Sequence, residues 1–283
     1  MLRSLSRTFR TAAWLGWQIE SNWTDPFLFF IYSVLKPVAS VLILVFMYRV
    51  VSRAGAEAPI YSYIYLGNAF YIYVGAMMAG ASYAILDDRE RYRTLKYLYV
   101  APLSIPVYLF GRSVARFLTG SLAVAITLLA CALFFGVPLH LAAVNWPMLL
   151  SALALGVACL TSLGIILGAW TMTIQNEPWF LGEAVAAALY LFSGAIFPIT
   201  LLPVFLQPMG FLLPLTYWLE LIRRALLGPG AAAFPTLAGL SNAQLFGILI
   251  LLTLVFSLLA AAAFRFFDHV ARERGMIDVT SNF

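Results

Sequence analysis

The densest group of chemically active side chains in this sequence is one charged run, Asp87–Lys96. Its two adjacent aspartates could assist metal-dependent phosphate chemistry, but no further Asp or His follows them at helical spacing. Aromatic and apolar side chains recur there every three or four residues, at Tyr92, Leu95 and Tyr99. A helix with such a stripe between charged flanks is typical of a segment that inserts into a groove of a partner. The alternative is a helix that lies on lipid headgroups while its arginines reach the interface.

Few other side chains in the sequence suggest chemistry. Glu183 and Glu220 lie in apolar surroundings, where a carboxylate could carry a proton. Tyr61, Tyr65 and Tyr73 could stack on sugar rings, or they could form an aromatic belt at a membrane surface. The two histidines and two cysteines are isolated from one another, so we expect neither a metal site nor a disulfide framework. No catalytic residue is predicted.

The rest of the sequence is overwhelmingly apolar. It is 63% hydrophobic and 10% charged, whereas a soluble domain carries about 25% charged residues. Six stretches approach or exceed the ~20 residues that a helix needs to cross the bilayer. These stretches are residues 30–51, 62–85, 107–135, 147–173, 180–202 and 244–266. We therefore expect an all-α polytopic membrane protein with one domain, 1–283, and six transmembrane helices.

Basic residues are distributed unevenly between the connections. The loop at 86–106 and both termini are rich in Arg and Lys, while 136–146 contains neither. Because Arg and Lys concentrate in cytoplasmic loops, both termini and the 86–106 loop are predicted to be cytoplasmic, in a plasma or inner membrane. The net charge of +5 is small and scattered, which favours contact with membrane lipid and argues against a nucleic-acid partner.

Residues 1–25 predict an amphipathic helix. At 100° per residue, side chains such as Leu5, Ala12 and Gly16 fall on one side, and the early arginines fall on the other. Glu20 is the one charged residue on the apolar side. We expect this helix to lie at the membrane interface, the alternative being a solvated helix packed on a soluble partner.

The segment 193–228 suits neither a simple span nor an aqueous loop. It is too apolar for water, yet its four prolines, Pro198, Pro203, Pro208 and Pro214, break any single helix. Two short helices, about 203–211 and 215–227, would make 203–228 an outer re-entrant hairpin between spans five and six. The alternative is a loop on the outer headgroups. Glu220 can pair with Arg223 or Arg224 on one helical face.

Two segments resemble the permease subunits of type-2 ABC exporters, the group that includes daunorubicin-type drug exporters and polysaccharide and Nod-factor exporters. The first is Glu90–Leu98 followed by Ala101–Ser104. The second combines Gly194, Phe197-Pro198, Leu202-Pro203, Leu213-Pro214-Leu215-Thr216, Glu220 and Arg223. Members of this group often have glycine where this sequence has Arg93, and the sequence departs from the group at this position.

The resemblance implies a permease that pairs with a second permease, identical or paralogous, and with two copies of a cytosolic ABC ATPase. The chain has no Gly-x-x-x-x-Gly-Lys-[Ser/Thr] loop, and Lys36 and Lys96 are its only lysines. It is therefore expected to be no enzyme by itself and to hold no cofactor, with ATP and Mg²⁺ bound by the partner ATPase.

Site residues also follow from the resemblance. The resemblance implies that the segment 86–101 is a cytoplasmic coupling helix, which docks on the ATPase. The implied ATPase-coupling residues are Arg89, Tyr92, Leu95, Lys96 and Tyr99. The implied translocation-path and outer-hairpin residues are Phe197, Pro198, Pro203, Pro214, Glu220 and Arg223.

The expected cargo is an amphipathic drug-like or lipid-linked molecule taken from the cytoplasm or the inner leaflet. The sequence offers no charged lining in mid-membrane, and the hairpin is almost wholly apolar. The tyrosines of the second span keep a polysaccharide or glycolipid exporter as the alternative. A proton-coupled secondary transporter using Glu183 or Glu220 is more distant. A membrane enzyme of lipid metabolism would need an interfacial Asp, His or Lys cluster.

Overall fold

The computed structural model describes residues 2–21, 26–31, 35, 38–43, 46–47, 59–135, 143–174, 179–228 and 237–276, which form helices and no strand. The helices are α1 (Leu2–Ser21), α2 (Pro26–Phe30), α3 (Pro59–Tyr73), α4 (Gly80–Leu86), α5 (Leu95–Val100), α6 (Ile105–Phe135), α7 (Trp146–Thr171), α8 (Trp179–Phe192), α9 (Gln207–Leu212), α10 (Pro214–Leu227) and α11 (Asn242–Glu273). Two π-helical segments, Val74–Ala79 and Asp87–Arg91, continue α3 and α4, and a 3₁₀ turn covers Ile199–Leu201. The prediction of an all-α polytopic membrane protein is confirmed.

Four of the predicted spans correspond to helices long and apolar enough to cross a membrane. They are Ser62–Arg91, Ile105–Ala130, Trp146–Thr171 and Asn242–Glu273. Half of the first predicted span, 30–51, lies outside the described residues, and 38–43 are helical within the described half.

The fifth predicted span does not continue to residue 202. Helix α8 ends at Phe192, after 14 residues, which corresponds to roughly 20 Å of helix. Gly194 then adopts a φ of +73°, and Pro198 is extended before the 3₁₀ turn. The predicted boundary is therefore wrong, because a left-handed glycine and a proline together end the helix.

Helix α7 packs closely against its neighbours at positions that have glycine. A Cβ atom at Gly164 would lie 2.6 Å from the carbonyl oxygen of Met78, and one at Gly156 would lie 2.1 Å from Nε1 of Trp218. Small residues allow helices in a membrane to approach to backbone contact. The main apolar core forms around this helix, with Leu160, Met78 and Trp218 almost wholly buried.

Helix α1 lies along α6 through the face that its periodicity predicts. Ala12 and Gly16 are buried, and a Cβ at Gly111 would lie 2.7 Å from the carbonyl oxygen of Phe9. Glu20, the charged exception on this face, pairs with Arg116 of α6 at 2.7 Å. The position of α1 at a membrane interface stays a prediction.

Candidate functional site

The predicted coupling segment consists of two short helices, where the sequence suggested one helix over 86–101. The π-helical segment Asp87–Arg91 closes with hydrogen bonds from the amides of Tyr92 and Thr94 to the carbonyls of Asp87 and Asp88. Arg93 then adopts a φ of +52°, and α5 begins at Leu95. Glycine takes this conformation without strain, whereas an L-residue such as arginine rarely adopts it.

Arg89 points into the chain. Its side chain is 4% exposed and pairs with Glu90 at 2.8 Å. Nη1 donates to the carbonyls of Thr171 at 3.1 Å and Met172 at 3.2 Å, and Nη2 donates to that of Ile174 at 3.2 Å. These carbonyls lie at and just beyond the end of α7, where the regular intrahelical donors run out. Arg89 therefore caps α7 in this arrangement.

Leu95 and Tyr99 also face inward. Leu95 is 2% exposed. The hydroxyl of Tyr99 donates to Oδ1 of Asp268 at 2.5 Å, and the guanidinium of Arg272 lies 4.6 Å from the centroid of the Tyr99 ring. Burial and the Asp268 carboxylate raise the pKa of Tyr99, so the hydroxyl keeps its proton. These contacts fix α5 to the end of α11.

The outer face of the segment carries a different set of side chains. Tyr92 and Lys96 are exposed, together with Tyr97 at 67% and Val100 at 86%. We call Tyr92, Lys96, Tyr97 and Val100 the exposed coupling surface. Tyr97 and Val100 were absent from the predicted set, although their three-residue spacing from one another was an available signal.

A buried ion pair joins this region to α6. Nη1 of Arg112 lies 2.6 Å from Oδ1 of Asp88, and the Tyr108 hydroxyl donates to Oδ2 of Asp88 at 2.9 Å. Arg112 also donates to the carbonyl of Ala84 at 3.3 Å. A paired and hydrogen-bonded charge is tolerated where an isolated one is not. Asp88 thus holds the segment Asp87–Arg91 against α6.

Arg223 organises the predicted outer hairpin. Nη2 donates to the carbonyls of Gly194 at 2.8 Å and Ala195 at 3.4 Å, and Nε donates to that of Tyr63 at 3.3 Å. The Tyr63 hydroxyl donates to the same Gly194 carbonyl at 3.0 Å. Among the described residues, no carboxylate lies within ion-pair distance of Arg223. Its charge is compensated by carbonyl dipoles and the Tyr63 ring.

Glu220 pairs with the second of the two arginines suggested by the sequence. Nε of Arg224 donates to Oε1 of Glu220 at 3.0 Å, and both groups are mostly buried. Arg224 also donates to the carbonyls of Leu237 and Leu240, each at 2.8 Å. This network connects α10 to the start of α11.

The hairpin helices are α9 and α10. Helix α10 matches its predicted bounds to one residue, but α9 begins at Gln207, four residues later than predicted, because residues 204–206 form a turn. The depth of both helices in the membrane stays a prediction. Pro198 and Pro214 are buried, Phe197 is half-buried and Pro203 is exposed. The large apolar side chains exposed on the hairpin are Val204, Phe205, Met209 and Leu212, and Leu201 is exposed just before it.

Two of the three tyrosines proposed for sugar stacking, Tyr65 and Tyr73, lie in the packed core. Tyr65 is fully buried, and its hydroxyl donates to the carbonyl of Thr127 at 2.9 Å. Tyr73 donates to Oγ of Ser121 at 2.8 Å and stacks on Phe117. The Tyr61 side chain lies outside the described part of the structure. Their contact with a substrate stays a prediction, and it would require these contacts to open.

Sequence comparison assigns the family. Residues 9–227 match the ABC-2 type transporter family, and this range contains both the coupling segment and the hairpin. The chain belongs to the ABC-2 type transporter family. It is a multi-pass membrane protein and a permease, and permeases of this family normally pair with an ATPase subunit. A comparison with curated proteins finds no match.

Proposed function

We propose that this permease is the membrane-spanning subunit of an ATP-driven exporter, and that the exposed coupling surface is where it meets the ATPase. The observation that carries this proposal is the two-sided nature of the segment 87–100. Its inner face is fixed to α7 and α11 by Arg89 and Tyr99, while Tyr97 and Val100 are among its most exposed residues. Aromatic and apolar groups beside cations suit a groove with an acidic rim.

The assembly that this proposal requires has more than one chain. Two ATPase subunits bind ATP and Mg²⁺ and press on the coupling surfaces of two permeases, identical or paralogous. The permeases lie in a plasma or inner membrane, and their termini and coupling segments face the cytoplasm. The basic residues of 86–106 and of both termini support this orientation.

We propose an amphipathic drug-like or lipid-linked cargo. Three charged side chains of the third span and the predicted hairpin, Arg112, Glu220 and Arg223, are buried and are paired or hydrogen-bonded within the chain. The exposed groups of the hairpin, such as Val204 and Phe205, are apolar. Such a surface favours a molecule that moves along lipid over a hydrated solute. The buried positions of Tyr65 and Tyr73 give the glycan alternative less support.

Co-purification tests the ATPase partnership. The permease should retain a cytosolic ABC ATPase through detergent purification, and Lys96→Glu and Tyr92→Ala should weaken that retention. Arg274→Glu reverses an exposed charge at the C-terminal end of α11 and should leave retention unchanged. Equal retention by all variants would contradict the assigned surface, and absence of any ATPase from the wild-type sample would contradict the proposed function.

Reconstitution tests the cargo. In proteoliposomes that contain permease and ATPase, amphipathic drugs or lipid-linked compounds should stimulate ATP hydrolysis. Stimulation by long glycans alone, with loss on Tyr65→Ala or Tyr73→Ala, would favour the polysaccharide alternative. Transport that follows a proton gradient without an ATPase would favour a secondary transporter.

A further inference from the structure

Helix α7 is held at its C-terminal end by the coupling segment. The three carbonyls that accept hydrogen bonds from Arg89 belong to Thr171, Met172 and Ile174, the last residue of the helix and two that follow it closely. The guanidinium charge also lies at the negative end of the helix dipole, which is favourable. A displacement of Arg89 therefore acts directly on the end of α7.

The N-terminal half of α7 is held by the outer hairpin. Nε1 of Trp218 in α10 donates to the carbonyl of Ala152 at 2.9 Å, and the indole lies against Gly156 with no room for a side chain there. Two turns earlier, the amide of Asn145 donates to the carbonyl of Ala225 in α10 at 2.9 Å. These contacts join α10 to α7 at two levels.

The helix between these attachments is continuous. It runs from Trp146 to Thr171 without a π-helical or 3₁₀ interruption, and roughly 30 Å separates Ala152 from Thr171 along its axis. By contrast, the helix Ser62–Arg91 contains two π-helical segments. A regular helix whose glycines lie flush against its neighbours moves as one body more readily than an interrupted one.

We propose that α7 transmits movement of the ATPase-facing segment to the outer hairpin, with Arg89 and Trp218 as positioning residues at its two ends. This inference rests on the proposed function, because the ATPase supplies the movement. Arg89 is assigned here to the α7 contact, and the ATPase contact is left to the exposed coupling surface. Trp218 has no part in ATPase binding, since it lies at the other end of α7.

The experiment measures how readily a cysteine in the hairpin is labelled, with and without nucleotide bound to the ATPase. A single cysteine replaces Leu212, which is exposed and is the last residue of α9, in a Cys131→Ser and Cys159→Ala background. The permease and its co-purified ATPase are placed in nanodiscs. The rate of labelling by an impermeant maleimide is then measured without nucleotide and with Mg-ATP plus vanadate. The readout is the ratio of the two rates. Because both rates come from the same folded sample, a change in stability alone does not change this ratio.

In the parent background, the two labelling rates should differ by roughly fivefold or more, the lower end of ordinary allosteric coupling. Trp218→Phe removes the hydrogen bond to Ala152 and should bring the ratio close to one. Trp170→Phe is the matched control on the same helix, because this tryptophan is 44% exposed and stacks on Phe267 away from the hairpin. Its ratio should equal that of the parent.

A second variant, at the other end of α7, keeps the test decisive if Trp218→Phe does not fold. Arg89→Lys retains the charge but lacks the planar fork that reaches three carbonyls, so its ratio should also fall. A parent-like ratio in both Trp218→Phe and Arg89→Lys would overturn the inference, as would a parent complex that binds the ATPase but shows no nucleotide response. A parent permease that retains no ATPase would instead contradict the proposed function.

Discussion

The guanidinium carbon of Arg223 lies 3.5 Å from the centroid of the Tyr63 ring, although 160 residues separate the two in the chain. Arg223 donates at the same time to the carbonyl of Gly194, so one side chain fixes α10 to α3 and to the turn that ends α8. The hairpin is therefore attached to the body of the permease by a cation that no carboxylate neutralises within the described residues.

Loss of this arginine should be strongly destabilising. Arg223→Ala leaves buried carbonyls without a donor and removes the contact with Tyr63, which we expect to lower the stability by about 2–4 kcal/mol. Arg223→Lys should recover part of this loss. Thermal unfolding in detergent measures both, and Arg265→Ala, an exposed arginine on α11, should stay close to the wild type. Equal melting temperatures for the alanine variants would contradict the assigned role.

The backbone at Arg93 gives a second prediction. Because its φ is +52°, a β-branched residue there is strained, and Arg93→Val should cost about 1–2 kcal/mol. Arg93→Gly should be neutral or slightly stabilising, since relief of strain offsets the entropy that glycine gains when unfolded. Arg91→Val, at an exposed neighbour in the π-helical segment, is the control in the thermal measurement. A harmless Arg93→Val would argue against the left-handed conformation.

The pair Glu220–Arg224 and the contacts of Arg223 show which interactions were predictable. Glu220 and Arg224 are four residues apart on one helix, so helical spacing alone indicates the pair. Arg223 instead donates to backbone carbonyls of segments that are remote in the sequence. A backbone carbonyl is present at every residue, so the residue types do not indicate which ones will accept a hydrogen bond. Periodicity describes neighbours on a single element and carries no information about such backbone acceptors.

The coupling segment illustrates the same limit. The spacing of Tyr92, Leu95 and Tyr99 correctly indicates a stripe on a helix, but it does not indicate which side faces solvent. The structure places Leu95 and Tyr99 inward because α11 supplies Asp268 as a partner for Tyr99, and Asp268 is 169 residues away. The buried face of α1, in contrast, was predictable from periodicity alone. Leu5, Ala12 and Gly16 fall on one side and the early arginines on the other, and Glu20 is the one charged exception.

Leu95 distinguishes a folding role from a docking role. Leu95→Asp places a charge at a site that is 2% exposed, and we expect a loss of several kcal/mol in the permease without its ATPase. Tyr97→Asp on the exposed face should change the stability of the permease alone by about 0.5 kcal/mol or less. Thermal unfolding of each purified variant measures the difference. A Leu95→Asp permease with wild-type stability that has lost the ATPase would assign Leu95 to docking instead.

The orientation of the chain can be tested with thiol labelling. Single cysteines at Arg93 and at Ala143, both exposed, are introduced into a background without Cys131 and Cys159. An impermeant reagent added from outside intact cells should reach position 143 only, while position 93 should require permeabilised membranes. Labelling of both positions from the same side would contradict cytoplasmic placement of the coupling segment.

The carboxyl group of Glu20 should make stability depend on pH. Burial raises its pKa above the ordinary value of about 4.5, although Arg116 opposes the shift. Below pH 4.5 both the folded and the unfolded chain hold the proton. Between 4.5 and the raised value, the folded chain retains more protons than the unfolded one, so the free energy of unfolding falls as pH rises and then levels off.

Glu20→Gln removes this titration because the amide stays neutral. The wild type and the variant should have similar stability in acid, and the wild type should lose stability relative to the variant as the pH rises through the folded pKa. Thermal unfolding over a pH series measures the difference between the two curves. Glu273→Gln alters a carboxylate that is exposed on α11 and should run parallel to the wild type. A Glu20→Gln curve that is also parallel, or that falls more steeply, would show that the Arg116 pair outweighs burial at the junction of α1 and α6.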